Sequence, residues 1–178
     1  VGIDDIYTGN GVSELISMSM QALLNNGDEV LVPAPDYPLW TSSVVLAGGN
    51  AVHYVCDEQA NWYPDVEDIK NKITPNRKAI VIINPNNPTG YLYTRREMNQ
   101  IRDMVKKYDL YLFSDEVYRE FIYTGSPYIS ACHLEGIENN VVLIDSVSKR
   151  YSECGIRIGA LITKNEEVRK AVMKFCQA

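Results

Sequence analysis

A lysine, an arginine and two serines fall close together in Ser146-Val147-Ser148-Lys149 and Gly155-Ile156-Arg157-Ile158-Gly159. A lysine amine acts as a nucleophile or base once it has lost its proton. An arginine fork suits bidentate contact with a phosphate. A solvated loop lysine and a surface arginine are the plain alternative. Asp115-Glu116-Val117-Tyr118 places a carboxylate directly after an apolar run. A buried charge needs a partner. Here that is a cation on a ligand, or else the carboxylate is a helix cap or one half of a surface ion pair.

Two further segments are unusual. Thr8-Gly9-Asn10-Gly11-Val12-Ser13 is a glycine-rich turn before a stretch of helical period. Free N–H groups at a helix N-terminus attract phosphate, and Ser13 is a candidate cap for that helix. The pattern is neither GxGxxG nor a P-loop, so it also reads as an ordinary strand-to-helix turn. Asn84-Pro85-Asn86-Asn87-Pro88-Thr89-Gly90 combines two prolines, which fix φ, with a glycine free to take positive φ. So many restricted residues in one short run predict a stiff loop rather than a plain turn.

These segments must be held by something regular. Short apolar runs alternate with longer helical patterns. Strands are expected at Asp5–Thr8, Glu29–Pro33, Ala51–Val55, Ala79–Ile83, Leu110–Phe113, Val141–Ile144 and Ala160–Thr163. Helices are expected at Val12–Leu24, ended by Asn26-Gly27, at Leu39–Ala47, ended by Gly48-Gly49, and at Asp65–Ile73. Thr94, with Glu97 three residues on, predicts a capping box for a helix reaching Lys107, and Asn165 caps a last helix. The run Ala79–Ile83 is apolar throughout, as expected of a strand buried on both faces. The alternation predicts an α/β fold, three layers deep, around a mostly parallel sheet of about seven strands. Ligands of such sheets bind beyond the carboxyl ends of the strands, where the four segments fall.

Composition narrows the classes. The 178 residues are 46% hydrophobic with a net charge of −6. That excludes disorder, and an acidic balance argues against a nucleic-acid partner. No apolar run reaches the roughly 20 residues of a membrane span. Cys56, Cys132, Cys154 and Cys176 form no CxxC, and neither His53 nor His133 completes a zinc spacing, so no metal site is expected. Four reduced thiols in a cytoplasmic protein is the simplest reading. Cys154, five residues beyond Lys149, reads as a packing thiol rather than a reactive one; Arg150, Glu116, Trp40 and His53 read as structural or surface residues.

Taken in order, Pro35-x-Tyr37-Pro38, Asn87-Pro88-Thr89-Gly90, Asp115-x-x-Tyr118 and Ser146-x-Ser148-Lys149 followed by Gly155-x-Arg157-x-Gly159 resemble the class I/II aminotransferases. These are pyridoxal-phosphate (PLP) enzymes of fold type I, and the likeness covers essentially the whole chain. The resemblance implies a role for each matching residue. Lys149 is similar to the lysine that forms a Schiff base with PLP, and Asp115 to the aspartate paired with the pyridinium nitrogen. Tyr118 and Asn87 match donors to the cofactor's phenolic oxygen, and Tyr37 an aromatic residue stacked on the ring. Gly11, Val12, Ser13, Ser146, Ser148 and Arg157 match the phosphate-binding neighbourhood. It also implies amino-acid and 2-oxo-acid substrates, ping-pong transfer of an amino group, and a homodimer.

The same resemblance leaves parts unmatched. Nothing here corresponds to the arginine that holds the substrate carboxylate in a C-terminal small domain, nor to an N-terminal arm. Residues 1–178 are therefore expected to be the core of a large, cofactor-binding domain. The stretch Leu31–Gly90 looks most like prokaryotic aspartate or alanine aminotransferases, with aspartate slightly favoured. The alternatives are a C–S lyase, a decarboxylating relative, or the PLP-sensing domain of a transcription regulator.

Overall fold

The computed structural model describes residues 1–177. It contains β1 (Ile6–Gly9), α1 (Val12–Leu23), β2 (Glu29–Ala34), α2 (Leu39–Leu46), β3 (Asn50–Asp57), β4 (Tyr63–Pro64), α3 (Val66–Asn71), β5 (Arg77–Ile83), α4 (Arg95–Tyr108), β6 (Tyr111–Asp115), β7 (Val141–Ser146), α5 (Val147–Arg150), β8 (Gly159–Ile162) and α6 (Glu166–Gln177). The eight strands form one sheet in the order β1-β8-β7-β6-β5-β2-β3-β4. That is one more than expected. The addition, β4, is a two-residue strand antiparallel to the end of β3, too short to leave a period-2 pattern.

The alternation of side chains along β5 explains the layering. Ala79, Val81 and Ile83 pack into a core shared with α1, α2 and α6, whereas Ile80 and Ile82 enter a second core with α3 and α4. Both faces are buried, so the strand carries no polar face. Fully burying one such side chain contributes about 1.5–3 kcal/mol. The run of five therefore anchors the centre of the sheet.

Local signals act mostly as expected. Thr94 Oγ1 accepts from Glu97 N while Glu97 Oε2 accepts from Thr94 N at 2.8 Å, closing the capping box of α4. Asn165 Oδ1 accepts from Val168 N at 3.1 Å at the start of α6. Gly48 (φ +83°) follows α2. Two expectations shift. α1 stops at Leu23, short of Asn26-Gly27; Leu24 is already extended, and Gly27 (φ +88°) turns the chain toward β2 instead. Ser13 lies inside the first turn of α1, whose N-cap is Gly11 with no side-chain cap bond.

Four pairings, β2–β3, β2–β5, β5–β6 and β6–β7, are parallel. β8 runs the other way, antiparallel to both β7 and β1. Consequently the start of β8 reaches the same sheet edge as the ends of β1, β7, β6, β5 and β2. Gly159 there pairs with both Gly9 and Ser146. Arg157, which precedes a strand rather than following one, is delivered to the shared edge by this reversal.

Candidate active site

That edge holds a cavity of about 190 Å³. Ten of the eleven residues singled out above line it: Val12 and Ser13 from the first turn of α1, Tyr37 ahead of α2, Asn87 after β5, Asp115 and Tyr118 after β6, Ser146 at the end of β7, Ser148 and Lys149 on α5, and Arg157 before β8. The eleventh, Gly11, stands just behind Arg157. Ile83, Val117 and Cys154 complete the wall. Lys149 is the only lysine on the wall. It is not at the buried end of β7 itself but on the single turn that follows, where it is the exposed residue among half-buried neighbours. Ser146 Oγ caps that turn by accepting from Ser148 N at 3.1 Å.

One end of the cavity gathers groups that attract an anion. α1 points its first N–H groups there, with the Ser13 hydroxyl and the Arg157 guanidinium beside them. Arg157 Nη1 donates to Cys154 O at 3.0 Å and Nη2 to Asn10 O at 3.3 Å. Its backbone is left-handed (φ +57°), a conformation that a non-glycine residue holds only at an energetic cost. Gly11 makes room for it. A Cβ on Gly11 would come within 2.2 Å of Arg157 Nη2, and its backbone (φ +82°, ψ 170°) lies in a region open essentially to glycine alone. A Cβ on Gly159 would meet Gly11 C at 2.7 Å and Val12 N at 2.9 Å. Gly155 faces open space, so of the two glycines around Arg157 only Gly159 is required by packing. Gly11→Ala is expected to destabilise the protein by about 1–3 kcal/mol and to displace Arg157; a thermal melt reads the first, and an unchanged melting temperature contradicts the geometry.

The other end carries Asp115. Its residue is 5% exposed, and Oδ2 accepts from Trp40 Nε1 at 3.2 Å while Oδ1 accepts from Val117 N at 3.3 Å. Among the described residues no cation pairs with it. Burial pushes its pKa up to about 6, Trp40 and Val117 opposing and the charges of Asp145 and Glu116 adding to the rise. The short turn with Val117 is the cap-like role allowed for Asp115. No helix follows, and burial excludes a surface ion pair. Trp40, read from sequence as structural, is fully buried against Phe113 (ring centroids 5.6 Å) and also orients this carboxylate. The available signal was its place three residues after Tyr37, in the first turn of the helix that follows it.

The loop after β5 is stiff, as its composition predicts. Asn84 is fully buried; its Nδ2 donates to Ile129 O and its Oδ1 accepts from Tyr93 N. Asn86 Nδ2 donates to Thr89 Oγ1 at 2.9 Å, and Gly90 N donates to Asn86 O at 2.8 Å with Gly90 at φ +74°. Asn87 is thereby held on the cavity wall. Glu116, expected at the surface or in a structural role, is fully buried and bonded through Oε1 to Ser114 Oγ, Ser130 Oγ and Ala131 N. It fastens the segment around Ala131 beneath β6 and faces away from the cavity.

Comparison with known proteins decides the family. The family model for aminotransferase class I and II matches residues 3–177. The chain belongs to this family. It is 50% identical over 162 residues to the glutamate-pyruvate aminotransferase AlaA of Haemophilus influenzae, covering 90% of this chain and 39% of that one. It is 34% identical over 157 residues to an aspartate aminotransferase of a Bacillus species, covering 88% and 40%. The crystal structure of an aminotransferase from Escherichia coli superimposes with a TM-score of 0.94 at 43% identity, over 99% of this chain and 45% of that one. The chain thus spans about two-fifths of the length of the curated relatives it matches. Mixed α/β aminotransferase architecture is shared throughout. No described helix is long and apolar enough to cross a membrane.

Proposed function

We propose that the protein is a PLP-dependent aminotransferase that takes the amino group of glutamate to pyruvate, and that residues 1–178 are the core of its cofactor-binding domain. The observation that carries this reading is the polarity of the cavity. A buried carboxylate without a cation stands at one end, an arginine with a helix N-terminus at the other, and one lysine lies on the wall between them. That donor set fits a ring cation joined to a phosphate. Tyr37 offers an aromatic face, Tyr118 and Asn87 offer donors along the edge, Gly11 leaves room for the Arg157 guanidinium, and Gly159 leaves room for the Gly11–Val12 backbone. PLP, when bound, supplies an electron sink for charge developing at the substrate α-carbon. Asp115 keeps a proton on the group it faces; Arg157, Ser13 and the α1 N–H groups hold the phosphate; Lys149 moves a proton at the α-carbon.

The glutamate–pyruvate reading replaces the slight sequence preference for aspartate, because the relative with that printed activity is 50% identical and the aspartate enzyme 34%. A homodimer in the cytoplasm is part of the same proposal. A panel of amino donors and oxo acceptors with the full-length protein tests it. Fastest turnover with glutamate and pyruvate, with parallel double-reciprocal lines, is the expected result. A preference for oxaloacetate restores the aspartate reading, and a product lacking sulfur or carbon dioxide relative to its substrate points instead to a lyase or decarboxylase.

A further inference from the structure

Tyr118 and Lys149 project from turns that follow neighbouring strands. The β6–β7 ladder ends with Asp115 opposite Ile144, and Glu116 N donating to Ile144 O at 2.9 Å is the last rung. Beyond it, no backbone hydrogen bond among the described residues joins the turn at 117–121 to the turn at 147–152. Neither turn is tied to the other; the second is tied instead toward β8, through Val147 N donating to Ile158 O at 3.4 Å, and each is closed on itself. Arg119 N donates to Glu116 O and Phe121 N to Tyr118 O; Tyr151 N donates to Val147 O and Ser152 N to Lys149 O. Something else must set the gap between them.

Asp145 is placed to do so. It is 7% exposed, and its Oδ1 accepts from Ser146 N at 2.8 Å. Arg150, the residue after Lys149, donates through Nη2 to Oδ2 at 2.9 Å and to Oδ1 at 3.2 Å. Arg119, the residue after Tyr118, reaches the same Oδ2 with Nη2 at 3.0 Å. Glu120 Oε1 lies 3.5 Å from Arg119 Nε and 3.4 Å from Arg150 Nε. The latter contact is an ion pair outside hydrogen-bond geometry, since Arg150 Nε has no hydrogen-bond partner. Two cations and two anions close a ring whose charges cancel. One arginine is enough to compensate one buried carboxylate. Taking a second from the other turn does something more, because it joins the turns.

We propose that Asp145 is a positioning residue: by gripping Arg119 and Arg150 it fixes the turn bearing Tyr118 to the turn bearing Lys149 across the cavity. It touches no reacting atom; its effect passes through the backbone of the two residues next to it. The catalytic consequence rests on the aminotransferase reading. The mechanical one does not. Guanidinium groups suit this use, since a planar fork holds direction as well as charge. A displacement of about 1 Å at a reacting group lowers rate by up to roughly a hundredfold.

The test uses the full-length protein as wild type, as Asp145→Asn, and as the triple variant Asp145→Asn, Arg119→Gln, Arg150→Gln, which removes every charge from the central grip. Hydrogen exchange on each protein without cofactor is expected to be at least about tenfold faster in Asp145→Asn at both turns, 117–121 and 147–152, and unchanged in β5, as looser local opening requires. With PLP saturating, kcat is expected to fall about ten- to a hundredfold while KM stays within about threefold. In the triple variant the melting temperature should recover toward wild type, because the one charge left of the ring, Glu120, has its side chain 55% exposed and no buried charge stays unpaired, while kcat stays low. Unchanged exchange at either turn overturns the proposal, and so does a triple variant that regains wild-type kcat, which is what a purely structural ion pair gives. A wild type that binds no PLP refutes the functional reading instead, and the exchange experiment still judges the grip.

Discussion

Lys149→Ala in the full-length protein is expected to lower kcat by about 10⁴-fold, the upper range for a lost acid–base group, and to remove the absorption band of bound PLP that depends on the lysine amine. Lys149 is the only lysine among the residues that line the cavity. No neighbour can replace it without moving an element. The change is gentle for the fold. The side chain is exposed and sits on a single helical turn, where alanine is the best helix former. A melting temperature close to wild type should therefore accompany the loss. A variant that keeps both its band and its rate returns Lys149 to the status of a solvated loop residue.

Asp115→Asn is the second large effect, and it has two opposite signs. At an effective dielectric of 20, two unit charges 4 Å apart attract by about 4 kcal/mol. Losing that pairing is expected to slow turnover by about 10³-fold at 1.36 kcal/mol per decade. Without a ligand the same carboxylate is a burden. Burial, first among the causes, raises it from 3.8 to about 6. A carboxyl raised on folding stabilises the fold fully below pH 3.8, and that contribution is lost as pH climbs through 6. The loss is on the order of 3 kcal/mol at 1.36 per unit. The asparagine protein does not titrate here. Without cofactor it should melt higher than wild type at pH 7 to 8, with the gap closing below pH 4. Saturating PLP should shrink or reverse the gap, since the ligand stabilises the protein that binds it better. Equal melting temperatures at pH 7 in cofactor-free protein contradict the burial argument.

Much of this site was legible because its residues announce themselves over a few positions. Ser146 to Lys149, Asp115 to Tyr118 and Asn84 to Gly90 each come at the end of a strand dominated by Ile, Val, Leu, Tyr or Phe, and the strand end predicts the edge. What stayed hidden depends on contacts between distant segments. Trp40 and Asp115 are 75 residues apart, so nothing local reveals their hydrogen bond. Arg119, Asp145, Arg150 and Glu120 look like ordinary surface charges until β6 and β7 are laid side by side. The reversal of β8 was hidden for another reason. A four-residue apolar strand has the same composition in either direction, and only its pairing with β1 and β7 makes Arg157 face Gly11.

That pairing also orders events in time. Among the described residues β1 has β8 as its only strand partner, and Asn10 meets Arg157 across 147 positions of chain. At roughly 5–20 residues per second, a ribosome takes on the order of ten seconds to pass between them. Throughout that interval the first glycine-rich turn has no arginine beside it and its strand has no neighbour. An anion arriving early finds half a receptor. On the proposed function, phosphate capture can therefore only rivet a nearly finished sheet; it cannot help to start one. Newly made chains must reach β8 on the strength of their apolar strands alone.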